Sequence, residues 1–161
     1  MGAPEGDIMN AAEYFDHWIK VWRDLMRAVS MLSDEHLTFR PSENYQRTLG
    51  DILRHLINLE QGWIHFVIRR EIDAWPEERT DLQSVAELKA EMERVHDETM
   101  DYLQELPADD FNRIVQVPDD GTPKLAWILW HVLEQQIHHR GELYLCLSLL
   151  GMERPKTDRP G

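Results

Sequence analysis

The chain has 161 residues, of which 42% are hydrophobic and 29% charged, a composition that fits one globular domain and excludes general disorder. Thirty acidic residues against 17 Lys and Arg give a formal net charge of −13, which would repel a phosphate backbone and argues against a nucleic-acid partner. The single cysteine, Cys146, excludes an intrachain disulfide and a cysteine-based metal cluster, and without a recognisable signal peptide or membrane span we expect a cytoplasmic protein that has no membrane partner.

Four segments have the periodicity of amphipathic helices, and all eight prolines fall outside them. The first segment runs from about residue 10 to 33, with apolar residues at spacings of three and four. The second runs from about Thr48 to Arg70. Both lengths are typical of helices in a bundle.

The third segment is expected to begin at Ser84, because Ser84 and Glu87 have the spacing of a capping box. The fourth is expected to begin with Thr122 as the N-cap and Pro123 as the first helical residue, and to stop at Gly151. This last helix is the most apolar of the four. We therefore expect it to be the central helix of the bundle, or one shared with another subunit.

The segments outside the helices are short. Only residues 113–117 have the composition of an extended segment, and we expect them to form an edge flap over the mouth of the bundle. Residues 1–8 are predicted to be a flexible N-terminus, and residues 152–161 a loose C-terminal tail. The sequence therefore predicts an all-α fold, a four-helix bundle that occupies residues 9–151 as one domain.

Eight histidines is a high count for this length, and some of them stand where metal chemistry is possible. His55 lies on the inner side of the second helix, and His138 and His139 are adjacent on the fourth. Two ligands on one helix reach the same ion at a spacing of four, and the residue at that spacing before His139 is Gln135. An amide oxygen is a poorer ligand than imidazole for zinc or nickel, so we expect a weakened or absent metal site. His131 cannot replace Gln135, because it lies eight residues from His139, or roughly 12 Å along the helix.

The same histidines also have a structural interpretation, in which they are polar core groups paired with the backbone or with Glu60, Glu134 and Glu142. Glu60 and Glu142 are in addition candidates for orienting an imidazole or for acting as general bases, although a surface role is favoured for Glu60. Glu60 is expected on the helix surface, because it points about 140° away from His55. Arg140 either pairs with Glu134 or Glu142, or attracts an anionic substrate.

Most of the aromatic residues and the cysteine have structural interpretations. Trp18, Trp22, Trp63 and Trp130 fall on apolar stripes, which predicts positions in the core or in a dimer interface. Cys146 stands among apolar helix residues and is expected to be a buried, unreactive thiol. We find no Ser-His-Asp triad, Gly-rich phosphate loop or HExxH motif that would indicate another class of enzyme.

Three stretches of the chain resemble the DinB-like family of damage-inducible proteins, which includes thiol S-transferases and the mycothiol-dependent maleylpyruvate isomerase group. They are Leu37–Pro41, Leu49–Leu56 and, above all, Trp130–Glu142, which contains the run His-His-Arg-Gly-Glu. The resemblance extends from about residue 8 to 151. It implies a four-helix bundle that holds a divalent metal on three histidines, one from the second helix and two at a spacing of four on the last.

In this chain the resemblance implies a ligand set of His55, Gln135 and His139, with glutamine in place of one family histidine. It also implies a homodimer that is a metal-dependent transferase or hydrolase, acting on a small-molecule substrate and using a small thiol. A bound zinc or nickel ion would then act as a Lewis acid on water or on the thiol. The alternative is a non-catalytic protein that has lost the metal site and serves in a stress response or binds a small ligand.

Overall fold

The computed structural model describes residues 9–157, and these residues form a bundle of helices. The predicted flexible residues 1–8 lie outside the described range, as do residues 158–161 of the predicted tail. The all-α class is confirmed, since residues 9–157 contain isolated bridges but no strand. The helices are α1 (Ala11–Tyr14), α2 (Asp16–Val29), α3 (Leu49–Glu60), α4 (Val85–Glu105) and α5 (Leu125–Leu149), with a π-helical segment (Gln61–Ile68) continuing α3 and two 3₁₀ turns (Asp34–Thr38 and Ala108–Asn112). Within the described range, no helix has both the length and the apolarity needed to cross a membrane.

The first predicted helix is divided in two at Phe15, whose backbone leaves the helical conformation at φ −97° and ψ 35°. Its first part, α1, begins with a capping box between Asn10 and Glu13. The backbone of α1 is also tied to the end of α4, because the amide of Ala11 donates to the carbonyl of Leu106 at 2.8 Å. The prediction of one continuous helix was wrong here, because this tether between distant segments does not appear in the local periodicity.

The fourth helix begins two residues later than predicted. Pro123 is not its first helical residue, because the carbonyl of Pro123 accepts from the amide of Val115 at 2.8 Å, and Lys124 is the N-cap. The same pairing involves the predicted flap at 113–117, which forms isolated bridges to the chain just before α5. The predicted stop at Gly151 is confirmed by its positive φ of 76°, a conformation in which glycine has no Cβ penalty.

The core of the bundle consists of two apolar clusters with buried polar groups between them. One cluster surrounds Trp18 and Trp63, and the other surrounds Leu25 and Leu53. Along α4 and α5, the buried polar residues between members of the two clusters are His96, Thr99, Gln136 and His139, and α3 contributes Glu60 to the same group. A hydrogen bond of 2.7 Å from Nε1 of Trp18 to Oε1 of Gln136 joins α2 to α5 in this polar layer.

The sequence predicted Glu60 on the helix surface, but the structure shows it only 2% exposed. Its Oε1 lies 2.9 Å from Nδ1 of His96, and its Oε2 accepts from Nε2 of Gln136 at 2.9 Å. The helical angle does turn Glu60 away from His55. The inference of exposure failed because α3 is buried at ten of its twelve residues, so that its far side faces other helices instead of solvent.

The predicted apolar positions of the tryptophans are only partly confirmed. Trp18 and Trp63 are buried, and Trp22 is half-buried, with its ring stacked on that of His96 at 3.8 Å between centroids. Trp130 is 52% exposed, so a core position for it was wrong, while a place in a dimer interface stays a prediction. The sequence missed this because α5 is apolar on faces that the other helices of this chain do not cover.

The described part of the predicted tail, residues 152–157, has no helix or strand. Met152 nevertheless packs against the cluster that contains Leu25, and its amide donates to the carbonyl of Leu147 at 2.9 Å. The start of the tail is therefore held against the bundle. The domain boundary at residue 151 stays a prediction.

Candidate functional site

The structure brings together two histidines from separate helices. The rings of His55 on α3 and His139 on α5 meet edge to face, with 4.9 Å between centroids. His139 is 2% exposed, and His55 is half-buried. The two side chains thus converge inside the bundle, while their role as metal ligands stays a prediction.

His139 lines a small cavity at the side of the bundle, whereas His55 is not among the lining residues and lies behind His139 and Arg47, in contact with both. The cavity has a volume of about 360 Å³, which is within the range of small-molecule sites. One wall comes from the loop before α3 and the other from α5. Its lining residues are Asn44, Tyr45, Gln46, Arg47, Gln135, His138, His139 and Glu142. Gln135 and His139 therefore face the same space, although glutamine stands at one of the expected ligand positions.

Glu142 fixes the orientation of His139. Its Oε2 lies 3.0 Å from Nδ1 of His139, and its Oε1 lies 2.9 Å from Nε2 of His138. Burial raises the pKa of Glu142, but hydrogen bonds from Tyr45, His139 and His138 outweigh that effect and hold the pKa below 4.5. The carboxylate is therefore ionised at neutral pH and can only accept, so that Nδ1 of His139 carries the proton. This contact is the orienting role that the sequence offered for Glu142.

The other nitrogen of His139 is left without a partner. Its Nε2 is buried and makes no hydrogen bond to any of residues 9–157. Burial lowers the pKa of His139, and the contact with Glu142 only partly offsets this, so the ring is neutral at neutral pH. With the proton held on Nδ1, Nε2 presents a free lone pair, which is the form of imidazole that binds a metal.

His55 is also held in its neutral form. Burial, followed by the positive charge of Arg47, lowers the pKa of His55 to about 4. The Nη2 atom of Arg47 lies 3.4 Å from Nδ1 of His55. Arg47 thus places a permanent cation beside the histidine pair, which affects any charged ligand that enters the cavity.

Arg47 and Tyr45 are the site residues that the sequence did not indicate. Tyr45 donates a hydrogen bond to Glu142, and burial together with this contact raises the pKa of Tyr45 to about 12. Both residues belong to the loop between the 3₁₀ turn and α3, where no periodicity relates one position to another. Only the folded chain places this loop opposite α5, so no local signal could have found them.

A second group of potential ligands overlaps the first at His139. One ligand atom each from His138, His139 and Glu142 lies within 4.8 Å of the others, close enough to hold an ion. All three residues are on α5. The side chain of His138 is 58% exposed, so this group lies at the cavity mouth, whereas the predicted set of His55, Gln135 and His139 spans two helices.

His131, which the sequence placed too far along α5 to share a metal with His139, packs against tryptophans in the structure. Its ring stacks on that of Trp127, at 5.0 Å and 7° between planes, and packs against Trp63. It does not line the cavity. Because α5 is one unbroken helix over both positions, the predicted separation of His131 from His139 is confirmed.

Two further predictions near the site can be compared with the structure. Cys146 is fully buried, which confirms its predicted position, and burial raises its pKa to about 11, as expected for an unreactive thiol. Arg140 pairs with an acidic residue, but Glu134 and Glu142 were the wrong partners: its Nη1 lies 3.4 Å from Oδ2 of the buried Asp24 on α2. Glu142 is engaged by His138 and His139 instead.

The protein is thus a helical bundle in which histidines from two helices lie beside one cavity, and solved structures share its fold. A DinB-like protein from Bacillus cereus ATCC 10987 matches it with a TM-score of 0.80 at 16% identity, over 94% of this chain and 99% of the other. A DinB-like protein from Bacillus subtilis matches with a TM-score of 0.68 at 14% identity, over 89% and 97% of the two chains. At such identities the likeness establishes the fold alone.

The sequence itself matches the model of the DinB family over residues 7–161, and the chain belongs to the DinB family. No curated protein matches it significantly. The family predicted from the three sequence stretches is therefore confirmed.

Proposed function

We propose that this protein binds a divalent metal ion through His55, Gln135 and His139, and that it catalyses a transferase or hydrolase reaction at that ion. The observation that carries the proposal is the state of His139. Its Nδ1 is fixed by an ionised carboxylate, and its buried Nε2 has no partner in the part of the chain that the structure describes. A buried polar atom without a partner costs free energy, and a metal ion would satisfy it.

The donor set fits a borderline metal such as zinc or nickel, although less well than three imidazoles would. Two neutral imidazoles are good ligands for these ions, and the amide oxygen of Gln135 is a weak third. When bound, the ion would supply a Lewis acid that lowers the pKa of a coordinated water or small thiol. The thiol would come from a small molecule, because Cys146 is buried and protonated.

The neighbouring residues have defined roles in this proposal. Glu142 keeps the proton of His139 on Nδ1, and Tyr45 in turn donates to Glu142. Arg47 supplies positive charge at the cavity wall and would orient an anionic part of the substrate. The substrate is thus expected to be a small molecule with at least one acidic group.

We also propose that the protein acts as a homodimer in the cytoplasm. The support for a dimer is a set of large apolar side chains on α5 that are exposed among the residues the structure describes. They are Trp127, Trp130, Ile137, Leu145 and Leu149. Burial of such a surface in a symmetric interface would remove it from water.

A second candidate function is the non-catalytic binding of a small anion, as part of a stress response or as a ligand-binding protein. The observation that favours it is Arg47, whose guanidinium lies 3.4 Å from Nδ1 of His55. A fixed cation opposes the binding of a second cation nearby and favours an anion. The two functions can be separated by metal content.

The proposal is tested by elemental analysis of protein purified without a histidine tag. We expect near-stoichiometric zinc or nickel in the parent protein and a loss of most of it in His55→Ala and in His139→Ala. His17→Ala is the matched control, because His17 is exposed on α2, and it should keep the metal. If the parent contains no metal while Gln135→His does, the second candidate is supported.

A further inference from the structure

A second cavity, of about 560 Å³, lies beside the π-helical segment and has a different character from the first. Its walls come from the π-helical segment, from the loop that follows it and from the flap before α5. Its lining residues are Trp63, Phe66, Val67, Asp73, Ala74, Trp75, Val117, Pro118 and Asp120. None of them lines the histidine cavity, and Trp63 stands eight residues beyond His55, or roughly 12 Å along the helix.

The aromatic wall of this cavity makes several contacts with the helix beneath it. The ring of Trp75 rests directly on Gly62, where an added Cβ would lie 2.3 Å from the ring. Nε1 of Trp75 donates to Oδ1 of Asn58 at 2.8 Å. The same ring meets Trp63 edge to face at 5.7 Å and Phe66 at 6.3 Å. Three aromatic rings are thus held around one space by packing and by a hydrogen bond.

The charges around this cavity have one sign. Asp73 and Asp120 are exposed carboxylates and the only charged residues among those that line it. The nearby basic side chains are engaged elsewhere. Arg69 pairs with Glu71 at 2.5 Å, and Arg70 donates to the carbonyl of Gln116. The whole chain adds to this local field with its net charge of −13.

We propose that this cavity binds a small organic ammonium cation that has an apolar body. The faces of tryptophan and phenylalanine rings attract a cation, most strongly when it is partly desolvated, and they also bury its methyl or methylene groups. The carboxylates of Asp73 and Asp120, which also line the cavity, would balance the positive charge of the ligand. A volume of about 560 Å³ admits a ligand the size of a substituted quaternary ammonium ion. This proposal is independent of the metal site.

The test is a titration followed by NMR, in which the indole N–H signals of Trp63 and Trp75 are assigned by substitution. The probes are choline, the larger benzyltrimethylammonium ion, and 3,3-dimethylbutan-1-ol, which is a neutral counterpart of choline with nearly the same shape. We expect both cations to shift the two indole signals in a saturable way. The neutral alcohol should bind at least about tenfold more weakly, which corresponds to about 1.4 kcal/mol.

Substitutions test whether the cation binds in this cavity. The double variant Asp73→Asn/Asp120→Asn should lose about tenfold in affinity for choline, because it removes charge from two exposed positions without disturbing the core. Trp75→Leu should abolish saturable binding. Asp119→Asn is the matched control and should bind like the parent, because Asp119 is in the same turn but does not line the cavity. Equal affinity for choline and the neutral alcohol, an unaffected double variant, or no saturable shift with either cation would overturn the proposal.

Discussion

His55 and His139 stand on different helices, yet their rings meet edge to face with 4.9 Å between centroids. Two protonated imidazoles at this distance would repel each other in a partly buried space. Burial lowers the pKa of both rings, and the positive charge of Arg47 lowers the pKa of His55 further. The pair is therefore neutral at physiological pH, and this determines how the protein should respond to acid.

The metal-free protein should lose stability as the pH falls from about 6.5 to about 4. His55 has a pKa of about 4 in the folded state, against 6.5 for the unperturbed side chain. Between these two pH values the unfolded chain binds more protons than the folded one. The contribution of neutral His55 to stability is therefore fully present above about pH 6.5 and is lost as the pH falls to about 4. Denaturant midpoints of chelator-treated protein at about pH 7.5, 5.5 and 4.5 measure this loss.

The variant His55→Gln should show a smaller fall in stability over the same window. His17→Gln is the control, because His17 is exposed, and it should follow the parent. An identical pH dependence in His55→Gln and in the parent would show that His55 does not carry the effect.

Replacement of Glu60 by leucine should destabilise the fold by about 3 kcal/mol, because a buried polar pair then loses one partner. Inside the bundle Glu60 accepts from Gln136 and lies within hydrogen-bond distance of His96. Chemical denaturation gives the free energy of unfolding. Glu105→Leu, at an exposed position of α4, should change it by less than about 0.5 kcal/mol. A Glu60→Leu protein as stable as the parent would mean that the polar layer contributes no net stability.

Two glycines in helical segments should respond in opposite directions to alanine. At Gly62 a Cβ would lie 2.3 Å from the ring of Trp75, so Gly62→Ala should cost about 1–3 kcal/mol and displace that ring. At Gly141 a Cβ would meet nothing within 4 Å, so Gly141→Ala should stabilise α5 by up to about 1 kcal/mol. Thermal unfolding of the two variants measures both effects. A neutral Gly62→Ala would indicate that Trp75 is mobile.

The features that the sequence predicted correctly are those whose cause lies within a few residues. The Ser84 capping box begins α4 as expected, and Gly151 ends α5 in the left-handed conformation. Long-range features were missed for a physical reason. The break at Phe15 depends on a tether to the end of α4, and the burial of Glu60 depends on helices that pack around α3.

The candidate site shows the same division. The positions of His55 and His139 followed from helical periodicity and from the family resemblance, and their rings do meet. Arg47 and Tyr45 come from a loop that only the folded chain places opposite α5. Sequence reasoning therefore found the part of the site that lies on helices and missed the part that lies on the loop.

Substitution of Gln135 by histidine should raise the affinity for zinc by at least about tenfold, because an imidazole nitrogen replaces an amide oxygen at a position that faces the same cavity as His139. Competition titration with a chromogenic chelator measures the affinity. Gln104→His, at an exposed position of α4, is the control and should leave it unchanged. An unaltered affinity in Gln135→His would place the metal away from this residue.

The proposed metal ion lies between α3 and α5, bound by His55 and His139. Crystals grown with zinc and measured on both sides of the zinc absorption edge show where the ion binds. We expect an anomalous difference peak within bonding distance of both imidazoles, about 2.0–2.1 Å from a nitrogen of each. A peak bound only by His138, His139 and Glu142, with His55 free, would rule out this site.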